Sequence, residues 1–411
     1  MTPPIIIIGA GLAGWTTVRE FRKLDATTPV LLITGDSGDF YAKPSLSNAF
    51  AQKRGPEQLV RTLAAKMAET LQITLLAHTQ VDAIHPQRRT VTTAQGEFHY
   101  RQLVLSTGAQ PIRVPMAGDG AAQVLSINSL ADFGQFHARL TDAGQDQHRS
   151  HPEAGHSADV ALAPPATKHV VIMGAGLIGC EFANDLVASG YQVSVVDPSG
   201  GPISALLPSD ASAQLREALA ERGVTWHFGA TVTSVNTSHT STADPLAPRW
   251  QVELSNGLVV HADMVLSAIG LRAHTQLAQA AGLLCDRAIV VDAALQTSAP
   301  HLFALGDGAQ YASAGHRSLP YVMPIMNAAK ALAATLTGVR TEVVFPLMPV
   351  AIKTPALPIV VAAPAPGTPG DWQNLEPGLW QFIDSKGQMR GFILSGAQTS
   401  RRAEQAKRMA A

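Results

Sequence analysis

The chain of 411 residues holds only two cysteines, Cys180 and Cys285, and they lie far apart in the sequence. No Cys-x-x-Cys pair or comparable spacing occurs, which excludes a disulfide framework, a structural zinc site and a redox-active pair of neighbouring thiols. Two isolated thiols read as reduced and buried, in a cytoplasmic protein. A basic excess is also missing. Lys and Arg total 30 against 31 Asp and Glu, a formal net charge of −1, so nucleic acid is not an expected partner. Long apolar runs are absent too. Ile5–Ile8 is only four residues long before glycines begin, and Lys353, Pro355 and Pro358 interrupt Val350–Pro364. Neither a secretory leader nor a membrane span is expected. Apolar residues still make up 46% of the chain, enough to bury more than one core, so disorder of the whole is excluded.

Glycine is what the sequence has in the right places. Gly9-Ala10-Gly11-Leu12-Ala13-Gly14 follows the β-branched run Ile5–Ile8 and precedes a helical pattern over Trp15–Leu24, with a strand at Val30–Ile33. In such a strand–turn–helix the first glycine permits the tight turn and the second lets backbone approach a pyrophosphate. The third lets helix and strand pack closely, and the phosphates sit on free N–H groups at the positive end of the helix. Asp36, after the second strand, is the candidate for a ribose hydroxyl. The unit then recurs, with a strand at His169–Met173, Gly174-Ala175-Gly176-Leu177-Ile178-Gly179, a helix at Cys180–Ser189 and a strand from Gln192. This second strand closes on Asp197, whose carboxylate suits ribose hydroxyls and repels a 2′-phosphate. Pro198, Ser199 and Gly200 follow it with no Arg among them, so NADH is expected over NADPH. Two fingerprints require two dinucleotides, one held permanently and one exchanging.

Between these units the pattern predicts a helix over Arg61–Leu71, strands at Val81–Ile84, Thr90–Thr92 and Leu103–Ser106, and a loop over Thr107–Pro111. Further strands are expected at Thr225–Phe228, Trp250–Leu254, Leu258–His261 and Met264–Ile269, the last leading to Gly270, which is assigned to the nucleotide-binding set. Residues 141–168 are rich in Ala, Gly, Pro and His and poor in periodic apolar residues. They read as a loop insertion whose His148, His151 and His156 form a solvated polar stretch, since no metal-ligand spacing supports them. Metal is therefore not expected. Downstream, Leu302–Leu305 is a buried strand leading into Gly306-Asp307, where glycine permits close approach and the carboxylate suits a ribityl hydroxyl. A plain helix N-cap is the simpler use of that Asp. From Val343 the chain is strand-rich, with a hairpin turn at Asp384-Ser385-Lys386-Gly387.

Together, the two fingerprints, Ser106-Thr107-Gly108-Ala109 and Gly306-Asp307 resemble the FAD- and NAD-linked pyridine nucleotide reductases over nearly the whole chain. The resemblance is most specific to the bacterial rubredoxin–NAD reductases. It is carried by Phe40-Tyr41-Ala42-Lys43-Pro44-Ser45-Leu46-Ser47, by Leu177–Leu186, by Tyr321-Val322-Met323-Pro324 and by Ile352-Lys353-Thr354-Pro355-Ala356. Ala42 stands where that family has Ser, and Gly308 where Cys is usual. The resemblance implies an α/β fold with two Rossmann-like dinucleotide-binding domains and a C-terminal α+β interface domain. The FAD domain, 1–115 and 262–331, is interrupted by the NAD domain, 116–261, with 332–411 last. It also implies that Lys43 lies beside the flavin N5 region with Glu181 as its carboxylate partner, that Lys353 is a second lysine reaching the ring, and that Val81, Thr107, Gly108 and Val322 contact FAD.

The absent cysteine pair decides the implied reaction. Dihydrolipoamide dehydrogenase and thioredoxin reductase types pass electrons from flavin to a disulfide, whereas here they must leave the flavin directly. A hydride from NADH delivers two electrons, and an iron–sulfur acceptor takes them one at a time, without a general acid or nucleophile. Rubredoxin is the expected acceptor, docked by basic residues drawn from Arg61, Lys66, Arg401, Arg402, Lys407 and Arg408, each of which is also an ordinary surface charge. A ferredoxin reductase of an oxygenase system or an NADH oxidase are the alternatives, followed by a non-catalytic NAD-responsive flavoprotein. A monomer is expected.

Overall fold

The computed structural model describes residues 3–141, 167–238 and 248–410. Most of the expected insertion, with His148, His151 and His156, lies outside the described residues. The chain forms two compact units, Met1–Ala42 with Gln58–Ile112 and Leu271–Val350, and Lys43–Glu57 with Arg113–Gly270 and Ala351–Ala411. The sequence reading set its junctions near 115, 262 and 332; the contacts cut at 112/113, 270/271 and 350/351. They also set Lys43–Glu57 in the second unit, which the sequence did not suggest.

The first unit is built on a parallel sheet in the order Leu302–Ala304, Gln102–Leu105, Ile5–Ile8, Val30–Ile33, Thr74–Leu76. Ile5–Ile8 is the middle strand and buried throughout, as an unbroken β-branched run covered on both faces should be. The helix Leu12–Leu24 lays Trp15, Val18 and Phe21 into this core, and Arg22 and Lys23 occupy its last turn, where cations complement the helix dipole. The helix Val322–Leu336 packs along it. Val81–His85, Thr90–Thr93 and Gly96–His99 add a small antiparallel sheet.

The second unit repeats the plan. Its parallel sheet runs Val224–Phe228, Gln192–Asp197, His169–Met173, Met264–Ser267, and Val232–Thr237, Trp250–Leu254 and Val259–Ala262 form the matching antiparallel addition. The helix Leu177–Ala188 differs from its counterpart: every residue from Gly179 to Leu186 is buried, including Glu181, Asn184 and Asp185. The same unit carries an antiparallel sheet of Ile359–Ala362, Met389–Ser395, Leu379–Asp384 and Gly370–Glu376. Its hairpin turns at Gly387, with φ +75°, and the Asp384 side chain accepts the Lys386 and Gln388 amides at 2.9 Å. The helix Arg402–Ala410 covers this sheet and hydrogen-bonds to it through the buried pair Gln381–Gln405 at 2.7 Å.

Three local expectations change. Both fingerprint helices start earlier, at Leu12 and Leu177, which puts the third glycine of each inside the first helical turn. The helix expected over Arg61–Leu71 begins at Ala64, because Val60–Thr62 pairs as a strand with Phe40–Tyr41. Part of the loop expected over Thr107–Pro111 is a short strand, Ala109–Pro111, on Leu271–Ala273. Its proline sits in a two-stranded pair, where a missing ladder donor is tolerated. No helix among the described residues is long and apolar enough to cross a membrane.

Candidate functional site

The two fingerprints fold into nearly identical cradles. Gly9 and Gly174 turn the chain at φ +105° and +99°. A Cβ on either would lie 2.4 Å from the Ser106 carbonyl or 2.6 Å from that of Ala268, the residues that follow the neighbouring parallel strands. Gly14 and Gly179 leave no room for a side chain: each Cβ would stand 1.9 Å from the carbonyl of the motif's first glycine. Gly11 and Gly176 cap their helices with φ/ψ of −73°/−170° and −74°/−172°, and a Cβ on either meets no protein atom within 4 Å. Open space over the first free helical N–H groups is what a pyrophosphate requires, so both cradles fit a dinucleotide.

Around the first cradle, the buried Ser106 hydroxyl lies within hydrogen-bonding reach of the Ile8 and Gly9 carbonyls, at 2.8 and 2.9 Å. Thr107 donates to the His274 carbonyl at 3.0 Å, and the His274 amide returns a bond to Gly108. Gly306, at φ +82°, comes close to the Ala13 methyl, and its amide donates to the Tyr311 hydroxyl at 2.8 Å. This brings Asp307, half-buried, beside the first fingerprint helix. Val81 is buried, and Val322 is exposed in the first turn of Val322–Leu336. Asp36 is exposed and accepts the Thr34 hydroxyl at 2.6 Å and the Gly38 amide at 3.0 Å, so it shapes its own turn.

In the second cradle, Asp197 accepts the Ala175 amide at 2.6 Å and the Ser199 amide at 2.7 Å, with the Ser199 hydroxyl as a further donor. A carboxylate has about four lone-pair sites, so it retains acceptor capacity for ribose hydroxyls. Gly270 is exposed at φ +118°, just beyond the strand Met264–Ser267. Cys180, on the helix that starts in this cradle, is buried. Burial, reinforced by Asp197 and Glu181, pushes its thiol pKa upward. A thiol held protonated is a poor redox nucleophile. Both cysteines are free.

Glu181 takes part in a pair that the sequence did not bring together. Glu181 forms its ion pair with Lys353, while the exposed Lys43 donates to Asn128 Oδ1 at 3.1 Å. The pairing has a geometric cause. The Lys353 backbone amide donates to Glu181 Oε1 at 3.1 Å, which fixes the C-terminal segment beside the carboxylate. Lys353 Nζ also donates to the Pro44 carbonyl and to Ser47 Oγ, both at 2.7 Å, and Ser47 donates to Glu181 Oε2 at 2.6 Å. One helical turn on, Asn184 accepts the Ala356 amide at 3.0 Å, and Asp185 accepts the Phe50 and Ala51 amides at 3.0 and 2.9 Å. Three polar residues of one buried helix thus hold residues 353–356 and 47–51. Phe50 completes the attachment, stacked on His137 and edge-on to Phe133, Phe136 and Tyr191. Sequence reasoning missed Ser47, Asp185 and the tying role of Asn184. The signal was a buried-helix pattern carrying three polar residues.

Of the basic residues considered for docking, Arg401 is bound to Glu376 and Glu404, and Lys66 pairs with Glu69. Arg61, Lys407 and Arg408 are exposed.

Residues 3–334 match the family model described as pyridine nucleotide-disulphide oxidoreductase, and residues 342–409 match the one described as rubredoxin binding C-terminal domain. The chain is 39% identical over 398 residues to the rubredoxin-NAD(+) reductase of Alcanivorax borkumensis, covering 96% of this chain and 95% of that one. It is 38% identical over 399 residues to the nitric oxide reductase FlRd-NAD(+) reductase of Aeromonas salmonicida, covering 96% and 94%. The fold superposes on putidaredoxin reductase in its covalent complex with putidaredoxin with a TM-score of 0.83, at 22% identity, over 99% of this chain and 93% of that one.

Proposed function

Because the chain belongs to the pyridine nucleotide-disulphide oxidoreductases and closes on a rubredoxin-binding domain, we propose that it is an NADH-dependent flavoprotein reductase that passes electrons one at a time to rubredoxin. The observation that carries this reading is the duplicated cradle followed by that C-terminal domain. In this reading FAD lies on the Gly9–Gly14 cradle and NADH on the Gly174–Gly179 cradle. FAD, when bound, supplies the conversion between a two-electron hydride donor and a one-electron acceptor.

The chain's own residues bind and orient. The free N–H groups at the start of Leu12–Leu24 and Leu177–Ala188 hold pyrophosphates. Asp307, Thr107, Gly108, Val81 and Val322 line the flavin side, with Asp36 toward its ribose. Asp197 takes the ribose hydroxyls of NADH and disfavours a 2′-phosphate. Glu181 is the counter-ion that keeps Lys353 in place. Two free thiols suit a reducing compartment, so the cytoplasm is the proposed location. An anaerobic titration tests the reading. NADH should bleach the bound flavin, and oxidised rubredoxin should restore its colour. Flavin that NADH does not reduce would refute it.

A further inference from the structure

We propose that the Ser199 hydroxyl occupies Asp197 in the free protein and is displaced from it by the coenzyme ribose, so that Ser199 sets the affinity for that ribose. The proposal rests on the reading that NADH lies on the Gly174–Gly179 cradle with its ribose on Asp197. A carboxylate takes a vicinal diol with one hydroxyl on each oxygen, and each oxygen has about two acceptor sites. Those of Asp197 are unevenly used. Among the described residues, Oδ2 accepts the Ala175 amide alone, at 2.6 Å. Oδ1 accepts two donors, the Ser199 amide at 2.7 Å and the Ser199 hydroxyl. One oxygen therefore has room for a ribose hydroxyl and the other has none. The two amides cannot yield. Both belong to residues whose carbonyls are held in turn, that of Ala175 by the Ile203 amide at 2.8 Å and that of Ser199 by the Gly229 amide at 3.3 Å. The hydroxyl can yield, because it turns about a single bond and carries one hydrogen. The Gly201 carbonyl, 3.1 Å from Ser199 Oγ, is a second acceptor within reach. With NADH bound, the hydroxyl turns to Gly201 and leaves Oδ1 to the second ribose hydroxyl. A serine that merely shapes its own turn would keep its bond to Asp197 in both states. The Ser199 amide on Oδ1 already closes that turn without the hydroxyl.

The test is the dissociation constant of the flavin-loaded protein for ADP and for 2′-deoxy-ADP, measured by calorimetry for wild type, Ser199→Ala, Ser199→Thr and Asp197→Ala. ADP brings two ribose hydroxyls and has to open Oδ1, whereas 2′-deoxy-ADP brings one and is served by the vacant site on Oδ2. Ser199→Ala should therefore bind ADP about fivefold more tightly than wild type and leave 2′-deoxy-ADP unchanged. The gain is the difference between a hydrogen bond to a charged acceptor and one to a neutral acceptor. Ser199→Thr keeps a hydroxyl and should bind both ligands as the wild type does. If Ser199→Ala does not fold, Ser199→Cys, whose thiol is a weak donor, carries the same comparison. Weaker binding of ADP by Ser199→Ala would overturn the proposal, because the hydroxyl would then assist the ribose instead of competing with it. An equal change for the two ligands, or no change for either, would overturn it as well. Asp197→Ala should weaken ADP binding. Unchanged ADP binding in that variant would overturn the placement of the ribose on Asp197, and the proposal with it.

Discussion

Lys353 holds both oxygens of Glu181, its backbone amide on Oε1 at 3.1 Å and its ammonium on Oε2. Two residues far apart in the chain are thereby joined through main chain and side chain at once. Glu181→Gln keeps the first bond and turns the second into a clash of donors, leaving a half-buried cation without its counter-ion. The expected cost is about 1–3 kcal/mol, below that of a fully buried pair because Lys353 is partly exposed. Thermal unfolding measures it, and an unchanged Tm would contradict the pairing.

The glycines of each cradle separate folding from binding. Gly14→Ala forces a methyl to 1.9 Å from the Gly9 carbonyl, so loss of folded protein is expected. Gly11→Ala meets no protein atom within 4 Å, so the chain should fold normally and bind flavin more weakly. Gly176→Ala should leave flavin content unchanged and raise KM for NADH. Flavin content after purification and KM for NADH check the three together.

Asp197→Ala should lower kcat/KM for NADH by about tenfold or more, through loss of charge-assisted bonds to the ribose. Adding Ser199→Arg should bring NADPH turnover up. Equal use of the two coenzymes by the wild type would count against Asp197 as the selector.

Tyr100 gives a pH prediction. Its hydroxyl is buried with no hydrogen-bond partner among the described residues, and burial pushes its pKa up to about 12 from 10.0. The folded state thus binds this proton more tightly than the unfolded state. Its contribution is fully present below pH 10 and is lost as pH rises toward 12. Tyr100→Phe should change stability at neutral pH by no more than about 1 kcal/mol. It should also flatten the alkaline fall in Tm that is expected of the wild type between pH 10 and 12.

The cradles were legible in the sequence because their demands are local. A glycine whose Cβ would strike the carbonyl five residues back, as at Gly14 and Gly179, can be recognised from spacing alone. The Lys353–Glu181–Ser47 network was not legible as such. Its members come from three distant segments, and each taken alone is an ordinary charged or polar residue. The resemblance brought Lys43, Glu181 and Lys353 together but did not join Glu181 to Lys353, since only the fold places the Lys353 backbone amide on that carboxylate. The strand at Val60–Thr62 escaped because its partner, Phe40–Tyr41, is another segment of the chain. Tertiary pairing there overrides a weak local preference.

The central claim is that electrons leave this protein for rubredoxin. The most direct measurement is kcat/KM for reduction of purified rubredoxin by the flavin-loaded protein with NADH, set beside the same quantity for a ferredoxin. The account predicts fast turnover with rubredoxin and a kcat/KM at least about tenfold lower with ferredoxin, a difference of about 1.4 kcal/mol. Fast turnover with ferredoxin and none with rubredoxin would contradict it.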